Sequence, residues 1–97
     1  MQRDHLLQLK NFLIKSSANF NIKIILFGSR ARGDYNYSSD LDIAIKPLDD
    51  KAKKYFIKIK EKLENFNTPY KLNIIDLSSA SESIKNEIKK DGIIWKD

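Results

Sequence analysis

The six residues from Asp40 to Ile45, DLDIAI, alternate strictly between an acidic or small side chain and a branched apolar one. A period of two belongs to a β-strand, whose successive side chains point to opposite faces. Asp40, Asp42 and Ala44 then share one face, and Leu41, Ile43 and Ile45 the other. The two carboxylates lie roughly 6.6 Å apart at the backbone. At an effective dielectric near 20 their repulsion is about 2.5 kcal/mol. A strand that needed only stability has little reason to carry that cost. A divalent cation between the carboxylates turns it into attraction, because Mg²⁺ takes hard oxygen ligands and usually keeps phosphate oxygens in its shell.

A second apolar run, Ile22 to Phe27, precedes this one and ends at Gly28-Ser29. It is apolar on both faces, interrupted only by Lys23, which predicts a central strand. Glycine lets a phosphate approach the backbone closely. Backbone N–H groups in a turn or at a helix start form an anion-binding concavity. The Ser29 hydroxyl can donate to a phosphate oxygen, and Arg30 or Arg32 can add charge-assisted contacts to a triphosphate.

The remaining pattern surrounds these two strands. Leu6, Leu9 and Leu13, with Leu7 and Ile14 widening the stripe, predict a helix over Gln2 to Ser17. The second strand runs from Leu41 to Lys46 and Pro47 closes it. Asp49 or Asp50 can cap a helix running to about Asn65. Ala52, Tyr55, Phe56, Ile59, Leu63 and Phe66 give that helix its buried stripe. Tyr70 to Leu77 reads as a third strand carrying Asp76. Ser79 with Glu82 forms a capping-box pattern for a last helix to about Lys90. Gly92 can end it in the left-handed conformation, and Ile93-Ile94-Trp95 can form an edge strand. The order α-β-β-α-β-α, with a terminal β, predicts an α+β fold: a small mixed sheet with helices mainly on one face. The other face or its rim is left for Asp40, Asp42 and Asp76.

Phosphoryl and nucleotidyl transfer need charge neutralised on the attacking and leaving oxygens, which two metal ions about 3.5–4 Å apart achieve. Three aspartates on neighbouring strands can supply the bridging carboxylates. Other chemistries are less well provided for. With no cysteine there is no thiolate site. His5 is the sole histidine, in the first turns of a helix, and reads as a surface residue. No GxxxxGK[ST] and no GxGxxG is present. Tyr35 and Tyr37 suit either base stacking or loop packing, and Asp34 suits a turn.

At 97 residues the chain reads as one domain, residues 1–97. No apolar run approaches the roughly 18 residues of a membrane helix, and Met1 to Leu13 lacks signal-peptide features. A cytoplasmic, membrane-free protein is expected. The net charge of +5 raises the question of a nucleic-acid partner. The lysines, however, cluster in residues 51–62 and 85–96 and read as solvated helix faces. Acids also sit on the sheet, where RNA recognition wants aromatics and bases, so direct nucleic-acid binding is not expected.

Gly28-Ser29, ten intervening residues and Asp40-Leu41-Asp42 resemble the signature of the DNA polymerase β-like nucleotidyltransferases. GSRARG followed by SSDLDIAI resembles more closely the minimal nucleotidyltransferases, the MNT-type antitoxins of HEPN/MNT toxin–antitoxin systems. The resemblance implies that Gly28 and Ser29 hold nucleotide phosphates, with Arg30 and Arg32 assisting. It implies that Asp40 and Asp42 ligate Mg²⁺, two ions in all, and that Asp76 is the third carboxylate that helps activate the acceptor hydroxyl. It further implies transfer of AMP from ATP to a tyrosine of a partner HEPN ribonuclease toxin. Larger relatives carry an extra domain for the acceptor, so the acceptor is expected to be presented by another protein. The alternatives are an antitoxin that only binds and occludes its toxin, and a small basic nucleic-acid-binding domain.

Overall fold

The computed structural model of the chain describes residues 5–36 and 39–97. The expected start of the first helix at Gln2, and Tyr37 with its reading as base stacking or loop packing, lie outside the described residues. The elements are α1 (His5–Ser16), β1 (Ile22–Phe27), α2 (Ser29–Arg32), β2 (Leu41–Pro47), α3 (Asp50–Glu64), β3 (Leu72–Asp76), α4 (Glu82–Asp91) and β4 (Ile93–Lys96), with a 3-10 turn over Leu77–Ser79. The four strands form one mixed sheet in the order β3-β2-β1-β4. β1 is antiparallel to both β2 and β4, and β2 is parallel to β3. β1 and β2 are therefore central, as the apolar residues on both faces of β1 predict for that strand.

The alternation along the strands divides the core in two. Ile22, Ile24 and Leu26 of β1 and Leu41, Ile43 and Ile45 of β2 face α1 and α3, which contribute Leu9, Leu13, Ala52, Ile59 and Leu63. Ile25, Phe27 and Ala44 face the other way and pack against Ile84 and Ile88 of α4. The two longest described helices share one face, as the sequence predicts. The second face is not left open along its length, because α4 covers its middle. α4 packs there through Ile84 and Ile88 against Ile25, Phe27 and the small Ala44.

Local chemistry fixes the element ends. Asp49 caps α3, its Oδ1 accepting from the Ala52 N–H at 2.8 Å while Oδ2 accepts from Asn21 Nδ2 at 2.8 Å. The bond from Ala52 first, then that from Asn21, holds the Asp49 carboxyl below the ordinary carboxylate range. α4 is capped by Ser81, which accepts from the Ile84 N–H at 3.3 Å. The Ser79 of the expected capping box instead sits in the 3-10 turn. Gly92 does not take the left-handed conformation, having φ −64° and ψ 141°. It is needed for closeness: a β-carbon there would lie 2.9 Å from Ile25 Cγ2. The short apolar tail forms β4 at the sheet edge, tied by Lys96 Nζ donating to the Phe20 and Ile22 carbonyls at 3.1 and 3.0 Å.

Candidate active site

β1 leaves the sheet where β2 enters it, with Phe27 in register with Asp42. The chain must turn away sharply at that corner without colliding with the Asp42 side chain. Gly28 makes this possible. It is buried and has φ 79° and ψ −160°, a region in which a residue with a β-carbon is strained. A β-carbon there would clash with Asp42 Oδ2 and lie 3.1 Å from Asp42 Cγ. The two halves of the motif, ten residues apart in sequence, are thus in van der Waals contact. Asp40 lies two positions before Asp42, immediately ahead of β2, and is partly buried.

The residues after Gly28 form α2, a single turn that the sequence pattern did not reveal because four residues carry no periodicity. The Gly28 carbonyl accepts from the Ala31 and Arg32 N–H groups, both at 3.1 Å, and Gly33 closes the turn with φ 88°. The first N–H groups of such a turn have no partner within it. The Ser29 side chain, partly exposed, makes no hydrogen bond to another described residue.

Both arginines are already engaged. The Arg30 guanidinium lies between two rings, its Cζ 4.6 Å from the Tyr35 centroid and 4.8 Å from the Tyr70 centroid. Its Nη2 donates to the Asn36 and Ser39 carbonyls, each at 3.4 Å. Arg30 thereby pins the loop after α2 against the chain leading to β3. Arg32 Nη1 donates to Glu87 Oε1 of α4 at 2.9 Å, and its Nε donates to Asp34 Oδ2 at 3.2 Å. Asp34 first, then Glu87, raises the Arg32 pKa above its ordinary value. Both contacts are at the surface, where ion pairs exchange readily with solvent.

On β3 the structure corrects the expected third carboxylate. β2 and β3 run parallel with Asp42 in register with Asn73, and Ile45 in register with Asp76. Asp76 is three residues beyond Asn73, roughly 10 Å farther along the strand. An odd offset also assigns it the opposite face. Its Oδ1 accepts from the Ser78 N–H at 2.9 Å, capping the 3-10 turn. Asp76 therefore does not join Asp40 and Asp42. The β3 side chain that reaches Asp42 is Asn73, whose Nδ2 donates to Asp42 Oδ1 at 3.0 Å. Strand parity carried the signal: Leu72, Ile74 and Asp76 share one parity, and Asn73 has the other.

The donor set can be judged on its chemistry. Two partly buried carboxylates beside the turn at Gly28 suit one Mg²⁺, which is commonly held by one or two carboxylates plus phosphate oxygens. Among the described residues no group of three or more His, Cys, Asp or Glu side chains is placed to share an ion. A site bridged by three acids does not fit these residues.

The family model described as "Polymerase beta, Nucleotidyltransferase" matches residues 8–96. The curated relative "Probable protein adenylyltransferase MntA" of Haemophilus influenzae is 34% identical over 67 residues, 66% of this chain and 56% of the relative. The chain thus spans little more than half the length of that relative. A solved structure described as a candidate minimal nucleotidyltransferase superposes with a TM-score of 0.72 at 19% identity, covering 96% of this chain and 95% of its own. A structure of a tri-AMPylated Shewanella oneidensis HEPN toxin in complex with an MNT antitoxin gives a TM-score of 0.55 at 23% identity, covering 99% of this chain and 72% of that one. At these identities the solved structures bear on the fold. No described helix is long and apolar enough to cross a membrane.

Proposed function

Because the chain belongs to the polymerase beta-type nucleotidyltransferase family, we propose that it binds ATP with Mg²⁺ at the Gly28–Asp42 corner and transfers AMP to a tyrosine of a partner HEPN ribonuclease toxin, acting as its antitoxin. The observation that carries this reading is the contact between Gly28 and Asp42, which sets the turn that would accept phosphate directly against the carboxylate that would hold the cation. The relatives lend the finer terms: one is named a protein adenylyltransferase, and another is an MNT antitoxin seen with an AMPylated HEPN toxin.

Each group then has a task. The start of α2 and the Ser29 hydroxyl donate to phosphate oxygens. Asp40 and Asp42 hold Mg²⁺, which neutralises charge on the triphosphate when bound. Arg30 shapes the loop from its place between Tyr35 and Tyr70. Arg32 is the arginine able to swing to phosphate, because its present ion pairs are exposed. The tyrosine hydroxyl attacks the α-phosphorus and gives its proton to solvent, the bond from that phosphorus to the oxygen bridging to the β-phosphate breaks, and pyrophosphate leaves. Residues 1–97 act as one nucleotidyltransferase domain, in the cytoplasm where ATP and Mg²⁺ are plentiful. The edge strand β4, with Ile93 and Ile94 exposed, offers the partner an apolar border.

The test uses ATP labelled at the α- or the γ-phosphate, Mg²⁺, the purified protein and lysate of the native cell. Label from the α-position alone on a protein band, lost in Asp40→Ala/Asp42→Ala, supports AMP transfer. Label from the γ-position alone would replace it with phosphate transfer. A binding-only antitoxin is favoured by one observation: the side chain that reaches Asp42 from β3 is the amide of Asn73, not the carboxylate of Asp76. Toxin neutralisation that persists in Asp42→Ala would establish that second reading.

A further inference from the structure

Asp42 presents its two oxygens in two directions. Oδ2 faces the Gly28 turn, the nearest side chain atom to a β-carbon built there. Oδ1 faces β3 and accepts from Asn73 Nδ2 at 3.0 Å. Resting on the nucleotide-site reading above, we propose that this is a one-ion site, in which Asn73 takes the place from which a third acid would bind a second ion and acts as the positioning residue for Asp42.

Two ions about 3.5–4 Å apart need carboxylates that give an oxygen to each. Asp42 has one oxygen committed to an amide N–H, and that N–H cannot ligate a cation. The other oxygen points to the side where a triphosphate would lie against Gly28. On the β3 side of Asp42 an amide donor thus stands where an acid would offer a second ion a ligand. Asp76 does not supply that ligand, because it lies three residues along β3, in register with Ile45. In return, the bond to Asn73 fixes the Asp42 carboxylate, as an outer-shell partner fixes a metal ligand. Asn73 is exposed at the sheet's edge strand, so substitution there changes the site with little effect on the core.

The experiment counts Mn²⁺ bound to the full chain by electron paramagnetic resonance, with a non-hydrolysable ATP analogue at saturating concentration. The native protein is expected to hold one Mn²⁺ per bound analogue. Asn73→Asp is expected to hold two, and Asn73→Ala one, bound about tenfold more weakly because Asp42 has lost its partner. Two ions on the native protein would overturn the proposal, as would one ion on Asn73→Asp. Unchanged Mn²⁺ affinity in Asn73→Ala would overturn the positioning role. Failure of the analogue to bind to any of the three proteins would instead overturn the nucleotide-site reading itself. A second readout separates the role of the ion from folding: kcat of AMP transfer is expected to rise at least about tenfold in Asn73→Asp while KM for ATP changes little, and an unchanged kcat would count against it.

Discussion

Gly28 and Asp42 are packed so closely that the backbone of one leaves no space for a side chain against the carboxylate of the other. The contact explains why a glycine stands at the end of β1. Its φ of 79° and ψ of −160° already exclude most side chains, and the neighbouring carboxylate excludes the rest. Gly28→Ala is therefore expected to cost about 1–3 kcal/mol in backbone strain. It is also expected to push Asp42 off its position, with about a hundredfold loss of transfer activity. Thermal unfolding and steady-state kinetics on the same variant check both halves. A variant with native activity would contradict the packing account.

Arg30 holds the loop after α2 through two rings and two carbonyls. Lysine has neither the planar face nor the forked donors for this. Arg30→Lys and Arg30→Ala are both expected to speed amide hydrogen exchange in residues 33–36 and at Ser39, leaving α3 unchanged. If the arginine served phosphate alone, loop exchange would not change without nucleotide. Exchange measured by mass spectrometry on the free protein separates the two.

The alternation of Asp40 to Ile45 and the Gly28-Ser29 turn were legible because each is a local pattern, read from neighbours in the chain. The partition of the core was legible for the same reason: Leu9, Leu13, Ile59 and Leu63 recur at helical spacing and are buried. What is opposite Asp42 was not local. It depends on the register between β2 and β3, which are separated by all of α3. A strand read as Tyr70 to Leu77 made Asp76 its only acid, and the acid drew the assignment. Parity tells against it, since Asp76 shares its side of β3 with Leu72 and Ile74. The turn of α2 and the extended Gly92 were missed for want of signal. A four-residue helix has no period, and a glycine kept for close packing reads the same as one kept for a left-handed cap.

Gly92 gives a contrasting prediction. Its φ is one that any residue adopts, so only space argues for glycine. Gly92→Ala places a methyl group 2.9 Å from Ile25 Cγ2, an overpacking that typically costs about 1–3 kcal/mol. The variant is expected to melt earlier yet keep its affinity for nucleotide, because Asp42 and Gly28 are untouched. Denaturant unfolding alongside nucleotide titration checks this. Lost affinity at native stability would be the contrary result.

Asp49 makes stability depend on pH in a defined direction. Its carboxyl is held below its unfolded value by the bonds from Ala52 and Asn21. The folded state therefore favours the ionised form, and the stabilisation is complete above the unfolded value. It fades as pH falls through the carboxylate range, below about 4. Asp49→Asn keeps an oxygen for the Ala52 N–H but cannot titrate. Its melting temperature is expected to fall less steeply than that of the native protein between about pH 5 and 3. Parallel curves for the two proteins would remove Asp49 from the account.

The proposed site joins Gly28, Ser29, Asp40 and Asp42 around one nucleotide and its metal ion. Isothermal titration calorimetry of a non-hydrolysable ATP analogue into the native protein and Asp42→Ala, each with Mg²⁺ and with EDTA, tests it most directly. The account predicts binding to the native protein in Mg²⁺, with affinity reduced about a hundredfold or more by EDTA and by Asp42→Ala alike. Equal affinity in all four titrations would contradict it.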